Sequence, residues 1–144
     1  MRNTEQDLPV FLYFHGGAYL LGMNSVIRGE HIAATQNIIV IAANYRLGPF
    51  GFWYHPDFEA RMADEHNLPF DPNLPYSGNQ ALMDQQMAMI WTREYSAYFG
   101  GSKDRITIGG MSAGGQSVNP HAVMPSSETL FDKVISFSGQ NNVI

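Results

Sequence analysis

A serine surrounded by glycines is the first feature of this sequence that points to chemistry. Residues 109–115 read GGMSAGG, with Ser112 at the centre. Gly110, Ser112 and Gly114 fit the pattern G-x-S-x-G, which holds a nucleophilic serine on a strained turn between a strand and a helix. The two glycines are needed because the strand and the helix approach each other closely there. One alternative stays open, in which the turn is only glycine-rich and Ser112 caps the helix.

The elements on either side of this turn match what a nucleophile needs. An apolar run at residues 106–108 predicts a strand before Ser112, and AGGQSVNPHAVM predicts a helix after it. This order would expose the serine at the carboxyl edge of a sheet, where open α/β sheets bind ligands. The first N–H groups of the helix would point at the same place. Pro120 is expected to break or kink this helix.

A second glycine-rich turn, HGGA at residues 15–18, directly follows another apolar run. Acyl transfer needs N–H donors about 3 Å from the oxyanion that develops on the substrate. Such a turn can supply them, together with the residue after the nucleophile. The two turns together favour a catalytic site much more than either alone. For His15, within the turn, we predict a structural hydrogen bond.

The whole chain shows the alternation of short apolar runs and helical patterns that is typical of an open, parallel α/β sheet. The predicted strands cover residues 10–14, 38–43, 106–108 and 134–137, and the predicted helices cover 25–37 and 79–98. In the helix over 79–98, the apolar stripe that we expect to face the sheet consists of Met83, Met87, Ile90 and Trp91, with Ala97 or Tyr98. The proline-rich segment 47–78 predicts a long irregular excursion.

Composition excludes several classes of function. The formal net charge is −5 with only 8 Lys and Arg, so neither nucleic acid nor an anionic membrane is an expected partner. There is no cysteine, which removes disulfides and thiolate metal sites. The sequence has no apolar run of the roughly 18 residues that a membrane span requires. The polar N-terminus has no apolar segment of signal-peptide length before Pro9, and the compartment stays open.

Several segments in fixed order resemble the type-B carboxylesterases, the cholinesterase-like branch of the α/β hydrolases. The matching segments are PVFLYFHGGAYLLG, NYRLGPFGF, GNQALMDQQMAMIWTREYSAYFGG, FGGSKDRITIGGMSAGG and LFDKVISFSG. The resemblance implies an α/β-hydrolase fold. Residues 1–144 would form a partial domain with only the central parallel strands and helices of a larger sheet. Members of this family are often secreted.

The resemblance also implies a role for each residue of the two turns. Ser112 matches the nucleophile, which forms an acyl-enzyme that water hydrolyses without a metal or cofactor. The residues that match backbone donors of the oxyanion hole are Gly17, Ala18 and Ala113, and those that support the turns are Gly16, Gly110 and Gly114. Met111 stands where the family usually has an acidic residue, which favours a neutral, small-molecule ester as substrate.

None of the five histidines is expected to act as the base for Ser112. His121 follows it by nine residues and would lie on the opposite face of the helix. His31, His55 and His66 are predicted to be surface or packing residues. Since α/β hydrolases order the triad as serine, acid and histidine, the resemblance implies that both partners lie beyond Ile144. The 144-residue chain alone is therefore expected to be nearly inactive.

The predicted function is carboxylic ester hydrolysis by a serine nucleophile. Two alternatives remain at this point. One is a non-catalytic, esterase-like adhesion domain of the neuroligin type, although such relatives often lose the serine that is intact here. The other is a lipase of a different α/β-hydrolase branch, which the long-helix and FGG motifs disfavour. Acyl and alcohol specificity and the oligomeric state stay open.

Overall fold

The computed structural model describes residues 7–57 and 77–140. In chain order the elements are β1 (Leu8–Phe14), α1 (Gly29–Gln36), β2 (Ile39–Ala43), α2 (Gly48–Phe52), α3 (Gln80–Tyr95), β3 (Gly101–Met111), α4 (Ala113–His121) and β4 (Lys133–Phe137). Each predicted strand is present, although β3 begins five residues before the apolar run that predicted it. The predicted crossover helix is confirmed as the shorter α1.

The strands form one parallel sheet in the order β2-β1-β3-β4. Phe14 at the end of β1 pairs with Ala43 of β2 and Gly110 of β3. Met111 at the end of β3 pairs with Phe137 of β4. All four strands therefore end at the same edge of the sheet, and the turns that follow them meet there. The predicted α/β class is confirmed.

The core lies between one face of the sheet and the helices α3 and α4. Its buried members from the strands are Val10, Leu12, Phe14, Ile106 and Ile108, and from the helices Ala81, Met89 and Val118. Alternate residues of β1 and β3 point to this face because side chains along a strand alternate between the two faces. Pro120 lies inside α4, which ends one residue later at His121. The proline lacks the N–H that would bond to the Gln116 carbonyl, so one bond of this helix is missing.

The predicted apolar stripe of α3 is wrong. The buried residues of this helix are Ala81, Gln85, Met89 and Thr92. Met87, Ile90, Trp91, Ala97 and Tyr98 are exposed instead, and Met83 is only half-buried. Polar Gln85 and Thr92 can occupy the core side because both have internal hydrogen-bond partners, so the apolar pattern alone selects the wrong face.

The other face of the sheet is largely open in the described residues. The helix α1 packs near β2, and an apolar groove of about 310 Å³ lies beside it. Its lining includes Phe11, Ile32, Thr107, Ile135 and Phe137.

The segment predicted as an irregular excursion includes the short helix α2, so that prediction is wrong for residues 48–52. Residues 58–76 of the same segment, with His66, lie outside the described residues. In the ranges that the structure describes, no helix is both long enough and apolar enough to span a membrane.

Candidate active site

Ser112 sits at the junction of β3 and α4 in a strained backbone conformation. Its φ is 56° and its ψ is −121°, a region that residues with a side chain rarely occupy. Its backbone N–H donates to the Phe137 carbonyl at 2.9 Å, and its carbonyl accepts from the Gln116 N–H at 2.7 Å. The Ser112 side chain makes no capping bond to α4. The alternative in which this serine caps the helix is therefore contradicted.

The glycines two positions before and after Ser112 are in contact with backbone atoms. A Cβ added to Gly110 would overlap the Gly114 carbonyl group, and a Cβ added to Gly114 would overlap the carbonyl oxygen of Phe14. Backbone atoms cannot rotate away as the end of a side chain can. The end of β3, the start of α4 and the end of β1 thus meet at a distance that only glycine permits.

The HGGA turn lies directly against this junction. A Cβ on Gly16 would be 2.6 Å from the Met111 carbonyl oxygen and 3.1 Å from Ser112 Cβ. Three residues in a row then have positive φ: Gly17 at 123°, Ala18 at 54° and Tyr19 at 60°. The Gly17 carbonyl closes the turn by accepting the N–H groups of two later residues, Leu20 at 3.0 Å and Leu21 at 3.1 Å. The backbone is therefore folded tightly next to the serine.

His15 holds this turn from inside, as predicted. It is 1% exposed, its Nδ1 lies 2.8 Å from the Gly16 carbonyl oxygen, and its ring stacks on Tyr45 with centroids 4.6 Å apart. The Tyr45 hydroxyl donates to the His15 carbonyl. Burial raises the pKa of Tyr45 far above its ordinary value, so this donor keeps its proton. His15 is thus a structural residue.

Ser112 opens into a pocket of about 280 Å³. Ala18 from the first turn and Ala113 from the start of α4 line it, together with Gln116, Ser138 and Gln140. The structure thus brings the predicted nucleophile and two of the three predicted donor residues to one pocket. Gly17 precedes Ala18 in the chain but does not line the pocket. Gly110 and Gly114 form the backbone contacts on either side of Ser112.

The polar wall of the pocket was not predicted from the sequence. Gln116 lies one helical turn after Ser112, and Ser138 and Gln140 follow β4. The available signal was topological: a residue just after β4 reaches the same sheet edge as Ser112 once the strands are known to be adjacent and parallel.

None of the described histidines lines this pocket. His121 is completely buried on the other side of α4, where its Nε2 lies 3.0 Å from Gln85 Oε1 and its Nδ1 lies 3.0 Å from Ser127 Oγ. Burial lowers the pKa of His121 to about 4. His31 and His55 are exposed, as predicted.

Comparison with known proteins adds an independent observation. A model of the carboxylesterase family matches residues 1–143. The para-nitrobenzyl esterase of Bacillus subtilis is 39% identical over 142 residues, which are 97% of this chain and 26% of that protein. The cocaine esterase of Homo sapiens is 39% identical over 133 residues, which are 92% of this chain and 21% of that protein.

Solved structures agree with these matches. A thermophilic para-nitrobenzyl esterase superimposes with a TM-score of 0.83 at 38% identity, covering 99% of this chain and 27% of the other. The chain therefore spans about a quarter of the length of the relatives that it matches. The similarity includes the four strands and both turns of the pocket.

Proposed function

Because this chain belongs to the carboxylesterase family, we propose that it carries the nucleophile and the oxyanion hole of a serine hydrolase that cleaves carboxylic esters. The observation that carries the proposal is the geometry of Ser112. Its backbone is strained, its hydroxyl is not used as a helix cap, and it opens into a pocket next to Ala18 and Ala113. Strain of this kind is typical of functional sites.

In the proposed reaction, Ser112 Oγ attacks the ester carbonyl carbon and gives its proton to a general base. The oxyanion accepts hydrogen bonds from the backbone N–H groups of Gly17, Ala18 and Ala113. The N-terminus of α4 adds its positive dipole end. The C–O bond to the alcohol then breaks, the alcohol takes up the proton, and water hydrolyses the acyl-Ser112 ester.

The general base and its acid partner are proposed to lie outside these 144 residues. The described histidines support this, because His15 and His121 are buried with other partners and neither lines the pocket. Expressed alone, the chain should hydrolyse a short-chain nitrophenyl ester at a rate several powers of ten below that of an intact triad. Robust turnover that Ser112→Ala abolishes would contradict this placement.

The proposed substrate is a small neutral ester. Met111, rather than a carboxylate, precedes the nucleophile and is half exposed. No cationic substrate group would find a charged partner at that residue. The lining contributed by Gln116, Ser138 and Gln140 is uncharged but able to hydrogen-bond. The relative named para-nitrobenzyl esterase supports an ester as the class of substrate.

The direct test is covalent labelling of the whole protein that contains this chain with a fluorophosphonate, followed by mass spectrometry of the modified peptide. We expect one adduct, on Ser112, that is absent in Ser112→Ala. Ser138→Ala is the matched control, because it removes another hydroxyl from the same pocket and should leave the adduct in place. An unlabelled Ser112 would favour a non-catalytic binding domain instead.

A further inference from the structure

Two serine hydroxyls bond to the first turn of α4, directly after Ser112. Gly114 and Gly115 follow it, and neither has a side chain that could fix the position of the backbone. Their carbonyl oxygens accept hydrogen bonds from Ser117 Oγ at 2.9 Å and Ser136 Oγ at 2.8 Å, respectively. The first turn of α4 is therefore held by side-chain hydrogen bonds as well as by backbone packing.

The hydroxyl of Ser117 is itself held by α3. Gln85 Nε2 donates to Ser117 Oγ at 3.0 Å, and both residues are at most 1% exposed. Gln85 Oε1 lies 3.0 Å from His121 Nε2, and His121 Nδ1 lies 3.0 Å from Ser127 Oγ. We name this chain of side chains, from Ser117 through Gln85 and His121 to Ser127, the buried relay.

The direction of every bond in the buried relay follows from its chemistry. An amide oxygen can only accept, so His121 carries its proton on Nε2 and donates it to Gln85. His121 Nδ1 then accepts from the Ser127 hydroxyl, which in turn accepts from Gln86 Nε2 at 2.8 Å. All donors point toward the next acceptor. A buried network in which each side chain has hydrogen-bond partners fixes one geometry more strictly than apolar packing does.

We infer that Gln85 and His121 are positioning residues for the nucleophile, acting through Ser117 and the Gly114 carbonyl. The inference rests on the proposed function of Ser112. The buried relay bonds to the first turn of α4, which contains Ala113, a residue that lines the pocket. Neither Gln85 nor His121 contacts the pocket, so their effect reaches the reaction only through the backbone.

The experiment compares Ser117→Ala and Gln85→Glu with a matched control. Ser117→Ala removes the hydroxyl that binds Gly114. Gln85→Glu keeps the shape and, when ionised, cannot donate to Ser117, whose hydroxyl should turn from Gly114 to the new carboxylate. The control is Thr92→Val, which removes another buried hydroxyl of α3 that, within the described part of the chain, bonds to the Ala88 carbonyl of its own helix.

The first readout is the rate of fluorophosphonate labelling and of ester turnover in the whole protein. Losing one such hydrogen bond should slow labelling and lower kcat about five- to tenfold, with KM nearly unchanged. Thr92→Val should change neither. Wild-type kinetics in folded Ser117→Ala and Gln85→Glu would overturn the inference.

The second readout is nuclear magnetic resonance and needs no activity. Selective ¹⁵N labelling should show His121 protonated at Nε2 and not at Nδ1, and the ¹³C carbonyl resonance of Gly114 should shift in both variants but not in Thr92→Val. If wild-type protein shows no labelling, the proposed function fails, and this resonance alone decides whether the relay exists. An unmoved Gly114 resonance in both variants overturns it.

Discussion

The two faces of the sheet are packed in different ways. Neighbouring residues of β3 show the difference, because they point to opposite faces. On the face covered by α3 and α4, Ile106 and Ile108 are completely buried. On the opposite face, Thr107 lines an open groove beside Ile135, which is 42% exposed. The covered face also carries the buried relay and the contacts beneath Ser112.

This contrast shows what positions the candidate site. On the covered face, backbone atoms pack directly against backbone atoms at Gly110 and Gly114. An added side-chain atom there cannot be accommodated by a side-chain rotation. On the open face, the atoms nearest to an added Cβ at Gly109 belong to the end of the Phe11 ring, which can move. We therefore expect stability and Ser112 geometry to depend on the covered face, and the open face to tolerate substitution.

The largest expected difference is between Gly110→Ala and Gly109→Ala, adjacent residues that face opposite sides. A Cβ on Gly110 would overlap backbone of α4 and β1, which should cost more than about 4 kcal/mol or prevent folding. A Cβ on Gly109 would be 2.5 Å from the end of the Phe11 ring, which can swing into the groove, and 3.0 Å from the Ile135 carbonyl oxygen, which needs only a small shift, for a cost of about 1–2 kcal/mol. Urea unfolding measures both, and equal costs would refute the contrast between the faces.

Truncating the same residue type on each face is the next comparison. Ile108→Ala removes a completely buried side chain and should lower the free energy of unfolding by about 3–4 kcal/mol. Ile135→Ala, on the open face, should lower it by about 1 kcal/mol because much of that side chain is already in water. Thermal and urea denaturation of the two variants provide the check. A larger loss for Ile135→Ala would mean that the open face is covered in solution.

The third prediction concerns the effect of low pH on the free energy of unfolding. His121 has a folded pKa of about 4 against 6.5 in the unfolded chain, so between these values the unfolded chain binds more protons. The free energy of unfolding should therefore be unaffected by His121 above pH 6.5 and fall by about 3 kcal/mol as the pH drops to about 4. His121→Gln should remove this share of the pH dependence. Denaturant titrations between pH 4 and 7.5 measure it, and parallel curves for the two proteins would argue against a buried neutral imidazole.

The smallest expected effect lies at the nucleophile. Ser112→Gly relieves a backbone conformation that disfavours any side chain, which should raise the free energy of unfolding by about 1 kcal/mol while abolishing labelling. Ser138→Gly is a suitable comparison, because Ser138 also has a positive φ of 50° and lies in the same pocket, yet its loss should spare labelling. If Ser112→Gly destabilises the chain, the turn is not strained in the way that its dihedral angles indicate.

The sequence predicted the parts of the fold that depend on short-range pattern. The apolar runs located all four strands, and the glycine spacing located both turns of the pocket. It failed on α3, because a hydrophobic pattern assigns Gln85 and Thr92 to water when their hydrogen bonds hold them in the core. The buried relay was missed for the same reason. His121 was correctly excluded as a base by its position on the helix, but its partners come from segments distant in sequence.

The strain at Ser112 also bears on which residue related chains would have at this position if they lost their activity. A lineage kept only for its ability to fold would gain by replacing this serine with glycine, since the replacement is expected to stabilise the turn. A serine at this position therefore costs stability that only chemistry at the site would offset. Among chains that share this pair of turns, the identity of that one residue offers a way to separate working enzymes from those that have become scaffolds.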